Sequence, residues 1–294
     1  MTTPQLQLVR EAAVRDLLPA GAPKRLEASG VVVVDARFYV IFDNVREVAV
    51  INADLDRIDE NRLVPTGLED RAAYEDIARD PATGHLYLLI ESAPRRGGYM
   101  ARVEEYDAQL RFLWAGWLEL PLPEPNKGIE GLDCVDRDGV TYLLGLCEGN
   151  RNRGGGAGRR PGGGRVEVFR RGRRNWKRHA TIKLPKTLPF TDYSAISVSG
   201  DRLAVVSQES SALWLGSLVP STWQLAGPGR TYLFPRDKRG DIAYCTVEGV
   251  CWRTPEEFVM VSDRPKPDVH NPRCHAKGES LHLFALPRED GRQG

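Results

Sequence analysis

The chain has no apolar run approaching the roughly 18 residues that a membrane-spanning helix needs. Its first 26 residues carry Arg10, Glu11, Arg15 and Asp16 and no apolar segment of the kind that opens a secretory signal, so neither a membrane nor a signal peptide is expected. A surplus of one charge is missing as well. The 41 Lys and Arg against 40 Asp and Glu leave a formal +1, and no bulk field marks nucleic acid or an anionic surface as the partner. Cysteine is sparse. Cys134, Cys147, Cys245, Cys251 and Cys274 form an odd set with no CxxC spacing, which favours reduced thiols and a cytoplasmic home. GxSxG, HExxH, P-loop and dinucleotide fingerprints are all absent, which disfavours serine esterases, zincins, NTPases and dehydrogenases. Helical periodicity sustained over ten residues is also lacking.

Short strand-like runs are abundant. Segments of four to eight residues rich in Val, Leu, Ile and Tyr alternate with Gly, Pro, Asp and Asn clusters, and 41% of the 294 residues are apolar. Only the first 28 residues are ambiguous, since Leu6 to Val9 reads as a strand and Glu11 to Leu18 as a helical turn or two.

One phrase recurs five times: a polar residue opens a short apolar strand, a turn follows, and a second strand closes on an acidic residue. Its clearest copy is Gly128-Ile129-Glu130-Gly131-Leu132-Asp133, followed by Val140 to Cys147 and Glu148. The other copies open at Ser29, Glu75, Ser194 and Glu248 and close at Asp43, Glu91, Glu209 and Asp263. The openings are spaced 46, 55, 64 and 54 residues apart, and two further candidate strands follow most closing carboxylates. Four strands per repeat of 40 or more residues is the sequence form of a propeller blade.

The expected fold is therefore all-β: one five-bladed β-propeller of four antiparallel strands per blade, with blades at about 29–70, 71–125, 126–189, 190–243 and 244–290. The fifth unit lacks its outermost strand, which the N-terminal segment at 5–18 is expected to supply, closing the ring without a free sheet edge. Two separate β-sandwiches are the alternative architecture.

The phrase Asn126 to Leu132 resembles the signature of the esterase-like phytase family. The order Ser29, Glu75, Glu130, Ser194, Glu248 resembles the calcium-activated nucleotidases (apyrases), five-bladed propellers whose first strands send such residues to a calcium ion on the central axis. The resemblance touches a few residues in each unit across most of the chain. It departs after the first unit's second strand, where the nucleotidases' Asp-Asp-Arg-Thr-Gly is replaced by Phe42-Asp43-Asn44-Val45-Arg46.

The same ring follows from the residues alone. Equivalent positions on innermost strands converge on one axis, so Glu75, Glu130 and Glu248 become neighbours that repel. A hard cation, with the hydroxyls of Ser29 and Ser194 and with water, relieves this. Ca2+ suits the flexible oxygen set, with Mg2+ or Mn2+ as cytoplasmic substitutes. Ordered water or channel arginines would be the bland solution. The closing residues Asp43, Glu91, Glu148, Glu209 and Asp263 form a second acidic ring at the same mouth, and Asp43, Glu91, Glu148 and Asp263 are the candidate catalytic set, against simple strand-end capping.

Basic loops surround that mouth. Arg95, Arg96, Arg151, Arg153 and Arg264 are candidate anion ligands, and between Arg151 and Arg174 nine arginines face the single Glu167. A solvated Gly/Arg loop is the plain alternative. His270, Cys274 and His275 read as a surface loop, and Cys134, Cys147, Cys245 and Cys251 as packed small hydrophobes on inner strands. Two functions fit: a metal-dependent hydrolase of phosphoesters or related anionic esters, and a non-catalytic propeller that binds a ligand or protein at its top face. The expected partner is an anionic small-molecule substrate or ligand, or in the second reading a protein, with no specific nucleic acid and no membrane, and the expected state is a monomer.

Overall fold

Apolar runs punctuated by Gly, Asp and Pro turns produce strand after strand with little helix between them. The computed structural model describes residues 3–66, 73–95, 97–122, 128–266 and 271–288. Its first strand, β1 (Gln7–Ala13), leads into a single helical turn, α1 (Val14–Leu17). Four antiparallel groups and a shorter fifth then follow in chain order. The first holds β2 (Ala28–Val34), β3 (Arg37–Phe42), β4 (Glu47–Asn52) and β5 (Arg62–Pro65). The second holds β6 (Asp76–Arg79), β7 (Leu86–Arg95), β8 (Gly98–Tyr106) and β9 (Phe112–Glu119). The third holds β10 (Ile129–Arg137), β11 (Val140–Cys147), β12 (Arg165–Arg171) and β13 (Trp176–Lys183), with α2 (Gly155–Gly158) in the loop before β12. The fourth holds β14 (Ala195–Ser199), β15 (Arg202–Ser207), β16 (Ala212–Ser217) and β17 (Arg230–Leu233). The fifth holds β18 (Val247–Trp252), β19 (Glu257–Ser262) and, after α3 (Pro272–Lys277), β20 (Ser280–Ala285).

The N-terminal strand supplies what the fifth group lacks, since β1 pairs antiparallel with β20. Glu11 of β1 accepts hydrogen bonds from Lys277 and Tyr244 and contacts His282 Nδ1 at 3.2 Å, while Ser262 and His282 Nε2 lie 2.9 Å apart. Polar contacts thus tie the first strand to the last.

The strands form four sheets rather than five. The second and third groups join into one eight-stranded sheet because β9 and β13 touch in parallel at two residue pairs, Trp176 with Leu118 and Lys177 with Glu119. Buried Trp176 causes the junction: it meets Tyr87 and Trp114 edge-on, with ring centroids 5.5 and 6.5 Å away. The apolar core divides in the same way into five clusters among the described residues, each made by neighbouring groups. Val40 and Phe42, for example, pack in one cluster with Val259 and Leu281.

The opening strands of the groups lie side by side in a closed order: β2 against β6, β6 against β10, β10 against β14, β14 against β18, and β18 against β2. Hydrogen bonds stitch the junctions. Ser29 Oγ donates to Tyr74 O (2.5 Å), Leu132 N to Asp76 Oδ2 (2.7 Å), Val198 N to Asp133, and Ser194 Oγ to Val247 O (2.9 Å). At the last junction a Cβ on Gly249 would fall 2.9 Å from Gly30 Cα, so only glycine lets the two backbones approach.

One cysteine expectation is corrected. Cys245 and Cys274 are joined as a disulfide, with Cα atoms 5.4 Å apart. Cys245 lies on the approach to β18 rather than within an inner strand, and α3 carries Cys274 alongside it, which also removes Cys274 from any metal cluster. Cys134 and Cys147 are buried free thiols, and His270 lies outside the described residues. No helix among the described residues is long and apolar enough to cross a membrane.

Candidate metal centre

Local backbone geometry aims the opening residues. In β2, β10 and β18 the pairing register slips by one residue at Ser29, Glu130 and Glu248 respectively. Glu75 and Ser194 show the same doubled contact, donating their N–H groups to Leu89 O and Val206 O, whose residues already pair with Asp76 and Ala195. A bulge leaves one residue outside the ladder and turns its side chain out of the sheet's alternation.

Three carboxylates converge. Oxygen atoms of Glu91, Glu130 and Glu148 lie within 4.8 Å of one another. Gly128 fixes the outer two: its N–H donates to Glu91 Oε1 at 2.7 Å, and its carbonyl accepts from Glu148 N at 3.2 Å. A Cβ at Gly128 would stand 2.8 Å from Glu91 O, so this position also needs glycine. The central phrase therefore works residue by residue: Gly128 clamps, Glu130 points inward, Gly131 admits the neighbouring strand at Ile196, and Asp133 bonds across to Val198.

The electrostatics agree with that geometry. Burial, followed by repulsion from Glu91, Asp43, Asp263 and Glu148, pushes Glu75 up to about 8. Burial and then Glu75, Glu91 and Glu148 hold Glu130 well above the usual carboxylate range, with a hydrogen bond to Glu91 adding to the effect. Glu248 is raised by burial and then by Asp263, Glu75 and Asp43. Asp43 is raised to about 7 by burial and by Glu27, and Asp263 to about 6 by burial against a backbone hydrogen bond from Arg264.

The expected residues thus fall into two parts of one acidic mouth. Glu91, Glu130 and Glu148 meet on one side, Asp43, Glu248 and Asp263 repel one another on the other, and Glu75 is coupled to both. Ser29 and Ser194 spend their hydroxyl protons on neighbouring carbonyls, although their oxygen lone pairs remain. Glu209 pairs with Arg159 at 2.5 Å and accepts from Thr191.

The candidate anion ligands scatter. Arg95 lies over the Trp117 ring at 5.1 Å, Arg264 is exposed beside Asp263, and Arg151 and Arg153 border an open groove, while Arg96 lies outside the described residues.

Two carboxylates at the mouth escaped the sequence reading. Glu27 pairs with Arg25 and shares a hydrogen bond with Asp43. Asp192 accepts from Ser207 and from Glu209 N and is raised to about 6 by burial. Both stand two residues before an opening serine, in Glu27-Ala28-Ser29 and Asp192-Tyr193-Ser194. That was the available signal: where the opening residue is serine, the acid moves two positions upstream.

Three oxygen-only donors around a common centre suit a hard divalent cation such as Ca2+, Mg2+ or Mn2+ better than a soft one. The raised proton affinities of Glu75, Glu130 and Glu248 have one cause, burial together with the mutual repulsion of neighbouring carboxylates.

No family model matches the chain, and no curated protein does. Membership of the phytase-like or nucleotidase families is thus not shown. Solved structures do resemble it. Glutaminyl cyclase from Myxococcus xanthus superposes with a TM-score of 0.56 at 9% identity, over 97% of this chain and 100% of that one. The PQQ-bound aldose sugar dehydrogenase of Streptomyces coelicolor gives 0.54 at 9% identity, over 96% and 98%. The GH43_1 enzyme of Xanthomonas citri complexed with xylose gives 0.52 at 13% identity, over 95% and 91%. Their likeness shows a β-propeller fold and, at such identities, the fold alone.

Proposed function

We propose that this chain is a five-bladed propeller, its eight-stranded sheet being two adjacent blades that touch at Trp176, and that its mouth is a metal-dependent hydrolase site for phosphoesters or related anionic esters. The observation that carries the proposal is the convergence of Glu91, Glu130 and Glu148 within 4.8 Å. These three would hold a divalent cation, with Ca2+, Mg2+ and Mn2+ as the candidates. Such a cation supplies Lewis acidity toward an ester oxygen and lowers the pKa of water.

The remaining roles belong to the chain. Asp43, raised to about 7, and Asp263, raised to about 6, exchange protons near neutrality, as a group that takes a proton from water and returns it to a leaving oxygen must. Glu75, raised to about 8, couples the two halves of the mouth. Arg153 borders a cavity of about 100 Å3 with Glu148, Asp192 and Glu209, where a guanidinium can meet an ester oxyanion.

The test is a panel of phosphoester and carboxyl-ester substrates assayed in each cation. Turnover is expected with at least one cation and is lost with EDTA. Glu148→Gln should lower kcat by 100-fold or more while the thermal midpoint stays within a few degrees. Absence of turnover on every ester would favour a propeller that binds a ligand at its top face without acting on it.

A further inference from the structure

The stretch from Gly149 to Arg165, rich in glycine and arginine, is folded. Asn150 is fully buried and organises it: its amide donates to Gly158 O (2.9 Å) and Phe190 O (3.1 Å), and its carbonyl oxygen accepts from Gly163 N (2.9 Å) and Tyr193 Oη (3.1 Å). Arg151 N donates to Gly163 O at 2.7 Å, which fixes the backbone that carries the arginines.

Against this loop lies a groove of about 740 Å3. Arg151, Arg153 and Arg165 line it from the loop, Lys183 and Lys186 from the end of β13, and Pro161–Gly164 forms part of its wall. No carboxylate and no aromatic ring is among the described residues that line it. Among the described residues none of the five cations makes an ion pair, and Arg165 Nε is buried without a hydrogen-bond partner. Five cationic side chains border one groove, none in an ion pair among the described residues, on a backbone already ordered. A site of this kind has met the backbone part of the ordering cost of binding in advance.

A single phosphate group carries about −1.5 to −2 charges, which leaves most of such a surplus unmet. The missing aromatic rings argue against a surface that stacks nucleobases. Charge and hydrogen-bond geometry are what remain to be recognised, and arginine's planar fork matches tetrahedral oxyanions.

We propose that this groove is an oxyanion site, separate from the carboxylate centre, for a small molecule bearing at least two phosphate or sulfate groups. Arg153 also borders the small cavity beside Glu148, whereas Arg151, Arg165, Lys183 and Lys186 belong to the groove, so the site holds whether or not the mouth is hydrolytic.

Calorimetric titration of the metal-free full chain in EDTA with orthophosphate, sulfate and tripolyphosphate provides the test. Tripolyphosphate should bind at least tenfold more tightly than either single anion, with an affinity that falls as salt rises. The double variant Lys183→Ala/Lys186→Ala should lose tenfold or more at an unchanged thermal midpoint, since both side chains are exposed. Glu130→Gln should leave the binding intact. Equal affinities for ortho- and tripolyphosphate, binding unaltered in the double variant, or equally tight binding of an acidic peptide of matched charge would each overturn the proposal.

Discussion

Glu130 shows how one side chain acquires a function from its surroundings. In the sequence it is one acid among forty. In the folded chain a bulge turns it toward Glu91 and Glu148, and burial together with the neighbouring carboxylates raises its proton affinity. The pH dependence follows with a definite sign. Glu75 has an ordinary value of 4.5 and a folded value of about 8, so between those limits the folded protein holds a proton that the unfolded chain has released. Stability of the metal-free protein is therefore fullest at and below about pH 4.5 in this contribution and falls as pH rises toward 8. Thermal midpoints in EDTA should drop over that interval, and Glu75→Gln should flatten the slope by at least about 1.4 kcal/mol, the equivalent of one pKa unit. An identical slope in the variant would remove Glu75 from the coupled cluster. At this scale the three opening glutamates were legible because the repeat aligned them. Glu27 and Asp192 were not, because their acid lies two residues upstream of the aligned position.

Elements carry the constraints that a single residue cannot. Gly128 precedes β10 and holds both Glu91 and Glu148 by its backbone. Gly128→Ala would place a methyl 2.8 Å from Glu91 O, so it should weaken divalent-cation affinity tenfold or more by isothermal titration; unchanged affinity would mean that the loop adjusts freely. The β1–β20 seam depends on Glu11, which hydrogen bonds and charge from His282 and Lys277 hold down at about 2 despite partial burial. Its contribution is complete above its ordinary 4.5 and is lost as pH falls through about 2, opposite in sign to that of Glu75. Glu11→Gln should cost about 1–3 kcal/mol in urea denaturation at pH 7, because it leaves buried His282 and Lys277 short of an acceptor. Strand positions were readable from alternation and turn residues, and Asp138-Gly139 between β10 and β11, both with positive φ (53° and 72°), fits the hairpin turn that such a pair signals. The bulges were not readable, because a one-residue slip leaves no mark in an apolar pattern. The fold of the 149–165 loop was hidden too, since its order comes from one buried asparagine amid glycines that suggest freedom.

At the scale of the whole molecule, side-by-side packing of β2, β6, β10, β14 and β18 brings together acids far apart in the chain. The recurring phrase made that arrangement legible. The merging of two groups into one sheet was not, because it depends on Trp176 reaching Tyr87 and Trp114 across the junction. Trp176→Ala should cost about 3–5 kcal/mol by denaturant unfolding, as expected for a large buried aromatic. The disulfide was equally hidden: Cys245 and Cys274 are 29 residues apart with no motif between them, and only the placement of α3 makes them partners.

The most direct measurement is isothermal titration of Ca2+, Mg2+ and Mn2+ into EDTA-stripped, dialysed protein at pH 6 and pH 8, alongside Glu130→Gln. If Glu91, Glu130 and Glu148 hold a divalent cation, the unsubstituted chain takes up at least one equivalent of one of these ions saturably. Binding then releases protons, tightens from pH 6 to pH 8, and weakens tenfold or more in Glu130→Gln. No saturable binding of any of the three ions, or equal binding by the variant, would contradict it.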